Sequence, residues 1–261
     1  MSLCEDCIKC VTHEGTPEGK WETINGIECY VGVPTGEYQK NKVLLFICDA
    51  FGPSLINNQL LVDDFAKHGI RAVAPDVFAK DPLPAEYETS EEKRKTFDIQ
   101  VWFSGHTPEI TRPAIDKVID ALKADGITEF AAIGYCYGGR HVFNLAFENI
   151  TSLSIANHPS LLKLPVDLET YFSSSRAPLL LNTCTNDWQF PLEAQAQADA
   201  IFGEGKFSHG YRREYFDGCT HGFAVRGDLS VPKIKAGKEG AFKSSVEWLY
   251  QHGFGPQKAA L

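Results

Sequence analysis

Residues 131–140 read Ala-Ala-Ile-Gly-Tyr-Cys-Tyr-Gly-Gly-Arg. An apolar run that begins at Glu129 stops at Gly134, Cys136 follows, and Gly138 and Gly139 lead into helical spacing over 139–149. Strand, sharp glycine turn and helix in that order have the form of a nucleophile elbow, with Cys where Ser is commoner. The turn holds its central residue in a strained backbone conformation and lifts that side chain above the sheet. Its neighbours two positions away must be small, and Gly134 and Gly138 meet that need. The N-terminus of the following helix favours a thiolate and developing negative charge. A cysteine that only fills a core needs no such frame.

The flanking sequence supplies the rest of an alternating pattern. Apolar runs at 42–48, 70–74, 129–134, 152–156, 178–183 and 211–216 read as strands. Helical spacing at 59–67, 110–125, 139–149, 193–202 and 238–252 falls between or after them, and Gly69 and Gly126 stand where C-terminal caps belong. The alternation predicts an α/β fold with a mostly parallel sheet covered on both faces. Residues 81–107 and 157–176 break the rhythm. Both follow strands, and ligands of open parallel sheets sit beyond the carboxyl ends of the strands, so both segments are candidates to roof a site.

Composition narrows the class of function. The 261 residues are 43% apolar and 23% charged, ordinary for a globular chain able to bury a sizeable core. A formal net charge of -9 argues against a nucleic-acid partner and against docking on an anionic membrane. No stretch is apolar for long enough to span a bilayer. Residues 1–10 hold neither a basic n-region nor an apolar h-region, and eight cysteines without such a leader predict reduced thiols in a cytoplasmic protein.

An elbow needs an acid and a histidine after it, in that order. Leu179 to Asp187 is an apolar strand running into a polar turn that ends in Asp, and residues 215–223 (Tyr-Phe-Asp-Gly-Cys-Thr-His-Gly-Phe) place His221 in a loop after a strand. His221 is thus the candidate base for Cys136, and Asp187 the group that fixes its tautomer. Asp217 is the rival acid, but lies too near His221 in sequence for the usual partner.

These residues resemble the dienelactone hydrolase family of the α/β-hydrolase superfamily, in its eukaryotic form. The likeness runs from about Gly15 to Gly253. It rests on Gly134-Tyr135-Cys136-Tyr137-Gly138-Gly139, on Thr220-His221-Gly222-Phe223 and on Asp187 after its strand. Ala74-Pro75-Asp76-Val77-Phe78, Asp49-Ala50-Phe51-Gly52 and the entry His13-Glu14-Gly15-Thr16-Pro17 add to it. The resemblance implies one α/β-hydrolase domain over residues 1–261, with 1–14 a loose cysteine-containing segment. It implies hydrolysis of a small-molecule ester or lactone through Cys136, Asp187 and His221, with no metal or organic cofactor. It also implies an oxyanion hole made by the backbone N–H groups of Ala50 and Tyr137. Asp49 stands where the family places an acid against the resting thiol; its other reading is a turn cap.

The family's carboxylate anchors are two arginines. Their positions match Lys80, and Val225 with Arg226 next to it, so the anchor is altered and dienelactone itself is not the expected substrate. Phe51, Trp102, Tyr135, Tyr137, Trp188 and Phe223 are aromatic candidates for the mouth of the site, with His158 beside them, and they suggest a flat or apolar substrate. Cys4, Cys7, Cys10 and His13 have metal-like spacing, but no second paired half follows, so free thiols are the expectation. The chain is expected as a monomer or weak homodimer. A biosynthetic lactone or thioester hydrolase is one alternative, and a non-hydrolytic ligand-binding or thiol-sensing protein is another; a sensor would need neither Asp187 nor His221.

Overall fold

The computed structural model describes residues 12–87 and 89–256. Its centre is one eight-stranded sheet in the order β1-β2-β4-β3-β5-β6-β7-β8. The strands are β1 (Lys20–Ile24), β2 (Ile27–Gly32), β3 (Lys42–Ile47), β4 (Ala72–Pro75), β5 (Glu129–Tyr135), β6 (Leu153–Asn157), β7 (Leu179–Asn186) and β8 (Tyr211–Thr220). From β4 to β8 across the sheet every pairing is parallel; β1 and β2 pair antiparallel, and β2 runs antiparallel to β4. Five helices cover it: α1 (Ile56–Lys67), α4 (Pro108–Ala124), α5 (Tyr137–Phe147), α7 (Leu192–Phe202) and α8 (Pro232–Gln251). The irregular segment 81–107 folds into a short 3-10 turn, α2 (Glu91–Thr96) and α3 (Ile99–Gly105), and the segment 157–176 contains α6 (Val166–Ser174).

The alternation of side chains along a strand sorts the apolar runs into two layers. Val43, Leu45 and Ile47 of β3 join Ile115, Val118, Ile119 and Leu122 of α4 on one face. Leu44 and Phe46 go to the other face, with Leu61 and Phe65 of α1 and Phe242, Val246 and Leu249 of α8. A strand buried on both sides has to be apolar throughout, which is why the central runs carry so few polar residues.

The β1–β2 hairpin has no counterpart among the expected strands. Its turn is Asn25-Gly26, both at positive φ (49° and 79°), the residue pair that a two-residue hairpin turn of matching twist favours. Of the segment 1–14, only residues 12–14 are described, and Thr12 and His13 are bonded to the helices. The backbone N–H and hydroxyl of Thr12 donate to the Asp64 carboxylate at 2.6 and 2.7 Å, and His13 Nε2 lies 3.0 Å from Glu239. Cys4, Cys7 and Cys10 lie outside the described residues. No helix among the described residues is long and apolar enough to cross a membrane.

The β5–α5 turn shows why its glycines are needed. A Cβ on Gly138 would overlap the Ile47 carbonyl of β3, and one on Gly134 would overlap the Gly138 carbonyl. Both obstacles are backbone, so neither can rotate away. Gly138→Ala is expected to destabilise the fold by ~3 kcal/mol, the upper end for overpacking, read as a lowered urea midpoint. An unchanged midpoint would show that the turn is not close-packed.

Candidate active site

The sheet's carboxyl edge gathers the expected residues from five connections. Asp49–Phe51 follow β3, Cys136 follows β5, His158–Ser160 follow β6, Asp187 follows β7 and His221 follows β8. Cys136 sits at the N-cap of α5 with φ 50° and ψ -112°, a sparsely populated conformation of the kind that costs about 1–3 kcal/mol. Its backbone is stitched on both sides. The N–H donates to Asn157 O at 3.1 Å, and the C=O accepts from Gly139 N at 3.0 Å and Ser160 N at 2.9 Å. The thiol is partly exposed, whereas Cys29, Cys48, Cys184 and Cys219 are buried. Burial pushes the thiol of Cys48 well up and those of Cys29 and Cys184 up to about 12, so they stay protonated.

His221 is oriented by Asp187. Its Nδ1 lies 2.8 Å from Asp187 Oδ1, and its backbone N–H donates to Asn186 O at 3.0 Å. Asp187 is in turn fixed by the N–H groups of Gln189 and Phe190, at 2.9 and 3.1 Å. With Nδ1–H donated to the carboxylate, Nε2 is the nitrogen that faces the thiol side. Burial works against charging His221, but the hydrogen bond to Asp187 and the nearby Cys136 sulfur outweigh it and raise the imidazole to about 10. Burial likewise opposes the Asp187 charge, and the His221 contact outweighs it and lowers the carboxyl below its ordinary value. Asp217, the rival acid, is exposed and bonded to Lys233 at 2.6 Å.

Ser160, which no motif marked, stands between the two groups. Its Oγ is 3.3 Å from Cys136 Sγ and 3.3 Å from His221 Nε2. In sequence it is marked only by its place in the irregular segment 157–176 after β6.

Several expected pocket residues lie elsewhere. Tyr135 belongs to the α8 face with Ala131 and Ile133, as strand alternation requires, and packs under the site against Phe46 and His158. His158 is fully buried, with both ring nitrogens unpartnered, and burial lowers it to about 3, so it is a neutral cushion. Its ring meets His221 edge-on at 5.0 Å and Phe223 at 5.5 Å. Phe223 is thus core beneath the histidines, not mouth. Trp102 is also core: its indole N–H donates to Asp81 O at 2.8 Å, and it packs on Phe78, which packs on Tyr137. Trp188 alone fits the expected mouth, 79% exposed and 6.3 Å from the His221 ring.

The charged candidates are engaged. Asp49 Oδ2 receives Arg226 Nε at 2.8 Å, while Oδ1 receives Asn58 Nδ2 and Phe51 N. Its carboxylate is therefore taken up by Arg226 and Asn58 rather than by the Cys136 thiol, which corrects the contact expected from the family. Arg226 does not face solvent; its guanidinium lies 4.4 Å from the Phe51 ring centroid. Lys80 turns to the sheet edge, pairs with Glu28 of β2 at 2.9 Å and is exposed. It shares a cleft with Gly26, Glu28, Asp76 and His106.

Comparison with known proteins identifies the family. The dienelactone hydrolase family model matches residues 27–253. The chain belongs to that family. A hydrolase of Gibberella moniliformis, "Dienlactone hydrolase 1", is 32% identical over 251 residues, covering 95% of this chain and 92% of the relative. "Hydrolase pyvD" of Aspergillus violaceofuscus is 30% identical over 247 residues, covering 94% and 95%. In structure, a dienelactone hydrolase-type protein of Klebsiella pneumoniae superposes with a TM-score of 0.67 at 16% identity, over 90% of this chain and 98% of that one, which supports the α/β-hydrolase fold. The chain is an ester- or lactone-hydrolysing enzyme of the dienelactone hydrolase type.

The His221–Asp187 contact sets a pH dependence. The folded state holds the His221 proton more tightly than the ordinary value of 6.5 implies. Its contribution to stability is therefore full below about pH 6.5 and is lost as pH rises through about 10. The gap in urea midpoint between the native protein and His221→Ala should narrow over that window; a constant gap would contradict the coupling.

Proposed function

We propose that this enzyme hydrolyses an uncharged ester or lactone by covalent catalysis at Cys136. The observation that carries the reading is the alignment of Asp187, His221 and the elbow thiol at one sheet edge, with Nδ1 of the imidazole held and Nε2 turned toward sulfur. In the proposed course the Cys136 thiolate attacks the carbonyl carbon, and the N–H groups of Ala50 and Tyr137 receive the developing oxyanion. Tyr137 opens α5, so its N–H has no partner one helical turn back. The tetrahedral species expels the alkoxide, which takes the proton from His221, and a thioester remains on Cys136. His221 then removes a proton from water, hydroxide adds to the thioester, and the acid leaves as the thiolate returns.

The preference for an uncharged substrate follows from the charges. Asp49 already matches Arg226, and Glu28 matches Lys80. A substrate carboxylate would have to displace Asp49, which is fully buried. Trp188, exposed beside the His221 ring, offers an aromatic rim for the acyl group or ring.

Cys136→Ala should lower kcat/KM for p-nitrophenyl acetate by ~10⁴-fold or more, while Cys184→Ala should remain active. Comparable turnover in Cys136→Ala would refute covalent catalysis at this thiol. Lys80→Ala should leave kcat/KM within ~5-fold for both a neutral ester and a carboxylate-bearing lactone, the range of an exposed ion pair. A selective fall with the charged lactone would restore Lys80 as an anchor.

A further inference from the structure

We propose that Ser160 is a catalytic proton relay between Cys136 and His221, a role that rests on reading Cys136 as the nucleophile. Its hydroxyl is placed by the elbow itself. The Ser160 N–H donates to the Cys136 carbonyl at 2.9 Å, and the preceding His158 N–H donates to Asn182 O at 2.8 Å. Pro159 rests directly on Gly139, where a Cβ would come within 2.6 Å of the proline Cβ. Ser160 is 4% exposed, so its Oγ is not a surface hydroxyl that happens to point inward. From this fixed backbone Oγ reaches Sγ and Nε2 at the same 3.3 Å.

A hydroxyl carries one hydrogen and two lone pairs, so it can serve both neighbours at once in two opposite senses. In the uncharged sense the thiol S–H donates to Oγ and the O–H donates to neutral Nε2. In the ion-pair sense, which the raised His221 favours, Nε2–H donates to Oγ and the O–H donates to the thiolate. One concerted shift interconverts them. The S–H bond breaks as a new O–H bond forms, and the old O–H bond breaks as Nε2–H forms. The serine is unchanged, and one proton has moved from sulfur to nitrogen. Asp187 keeps Nδ1–H occupied, which leaves Nε2 as the acceptor. The same hydroxyl then holds a charge-assisted hydrogen bond to the thiolate. Hydrogen bonds to charged groups contribute ~1.5–3 kcal/mol, equivalent to a ~10- to 150-fold change in the thiolate population.

The test follows alkylation of Cys136 by iodoacetamide against pH, with the modified peptide mapped, in the native protein, Ser160→Ala and Ser160→Thr. Ser160→Ala should alkylate ~10- to 150-fold more slowly at pH 7 and show its rate midpoint at higher pH, with the thermal midpoint unchanged. Ser160→Thr keeps the hydroxyl and should stay within a few-fold of the native rate. A native pH profile in Ser160→Ala overturns the relay. So does equal loss in Ala and Thr variants accompanied by a lower thermal midpoint, which marks a packing role. Turnover that survives Cys136→Ala would instead remove the nucleophile on which the relay depends, and that outcome is separate from the serine variants.

Discussion

The structure depends on how closely the β5–α5 turn is set into the sheet. Gly138 lies on the Ile47 carbonyl, Gly134 on the Gly138 carbonyl and Gly139 on the Pro159 ring, so the turn sits directly against β3 and the loop after β6. Hydrogen bonds from Cys136 N to Asn157 O and from Ser160 N to Cys136 O close the gap. That contact forces Cys136 to positive φ, brings Ser160 to the sulfur and sets the height at which His221 must arrive. The strain at Cys136 persists because backbone on two sides over-determines it.

Behind this turn a buried polar layer ties the strand ends together. Asn182 Nδ2 donates to Asn157 Oδ1 at 2.8 Å, Asn157 reaches Gly134 O, and Ser244 of α8 donates to Asn182 Oδ1 at 2.9 Å. On the other side, Tyr137 donates to His106 O at 2.7 Å, and its hydroxyl lies 2.7 Å from Thr111 Oγ1, which in turn meets His141 Nε2 at 2.9 Å. Polar groups this deep are tolerable only when bonded, and once bonded they hold the strand ends in one arrangement. His158 differs from these residues in having both ring nitrogens unpartnered, beside His221. Kept neutral by burial, it adds no competing charge beneath the imidazole that Asp187 must stabilise.

The parts of the site that sequence made legible are those fixed by neighbours along the chain. The elbow announces itself through glycines at 134, 138 and 139, and the Asp-then-His order follows from strand ends. The Asn25-Gly26 turn is legible as a turn, but β1 is exposed over most of its length and lacks the apolar run that marks a strand. Tyr135, a candidate for the mouth, shares strand parity with Ala131 and Ile133 and therefore lies on the α8 face. Ser160 and the Arg226–Asp49 pair were not legible. The first depends on Gly139 packing against Pro159, and the second joins residues 177 apart in sequence, so only the folded sheet brings either into place.

The measurement that tests the central claim most directly is acid-quenched peptide mapping of the enzyme during turnover of a slow p-nitrophenyl ester. The account predicts an acyl mass increment on the peptide carrying Cys136, labile to hydroxylamine as a thioester is, and prolonged by His221→Ala once formed. An increment on another residue, or burst-free turnover with Cys136 unmodified throughout, would contradict it.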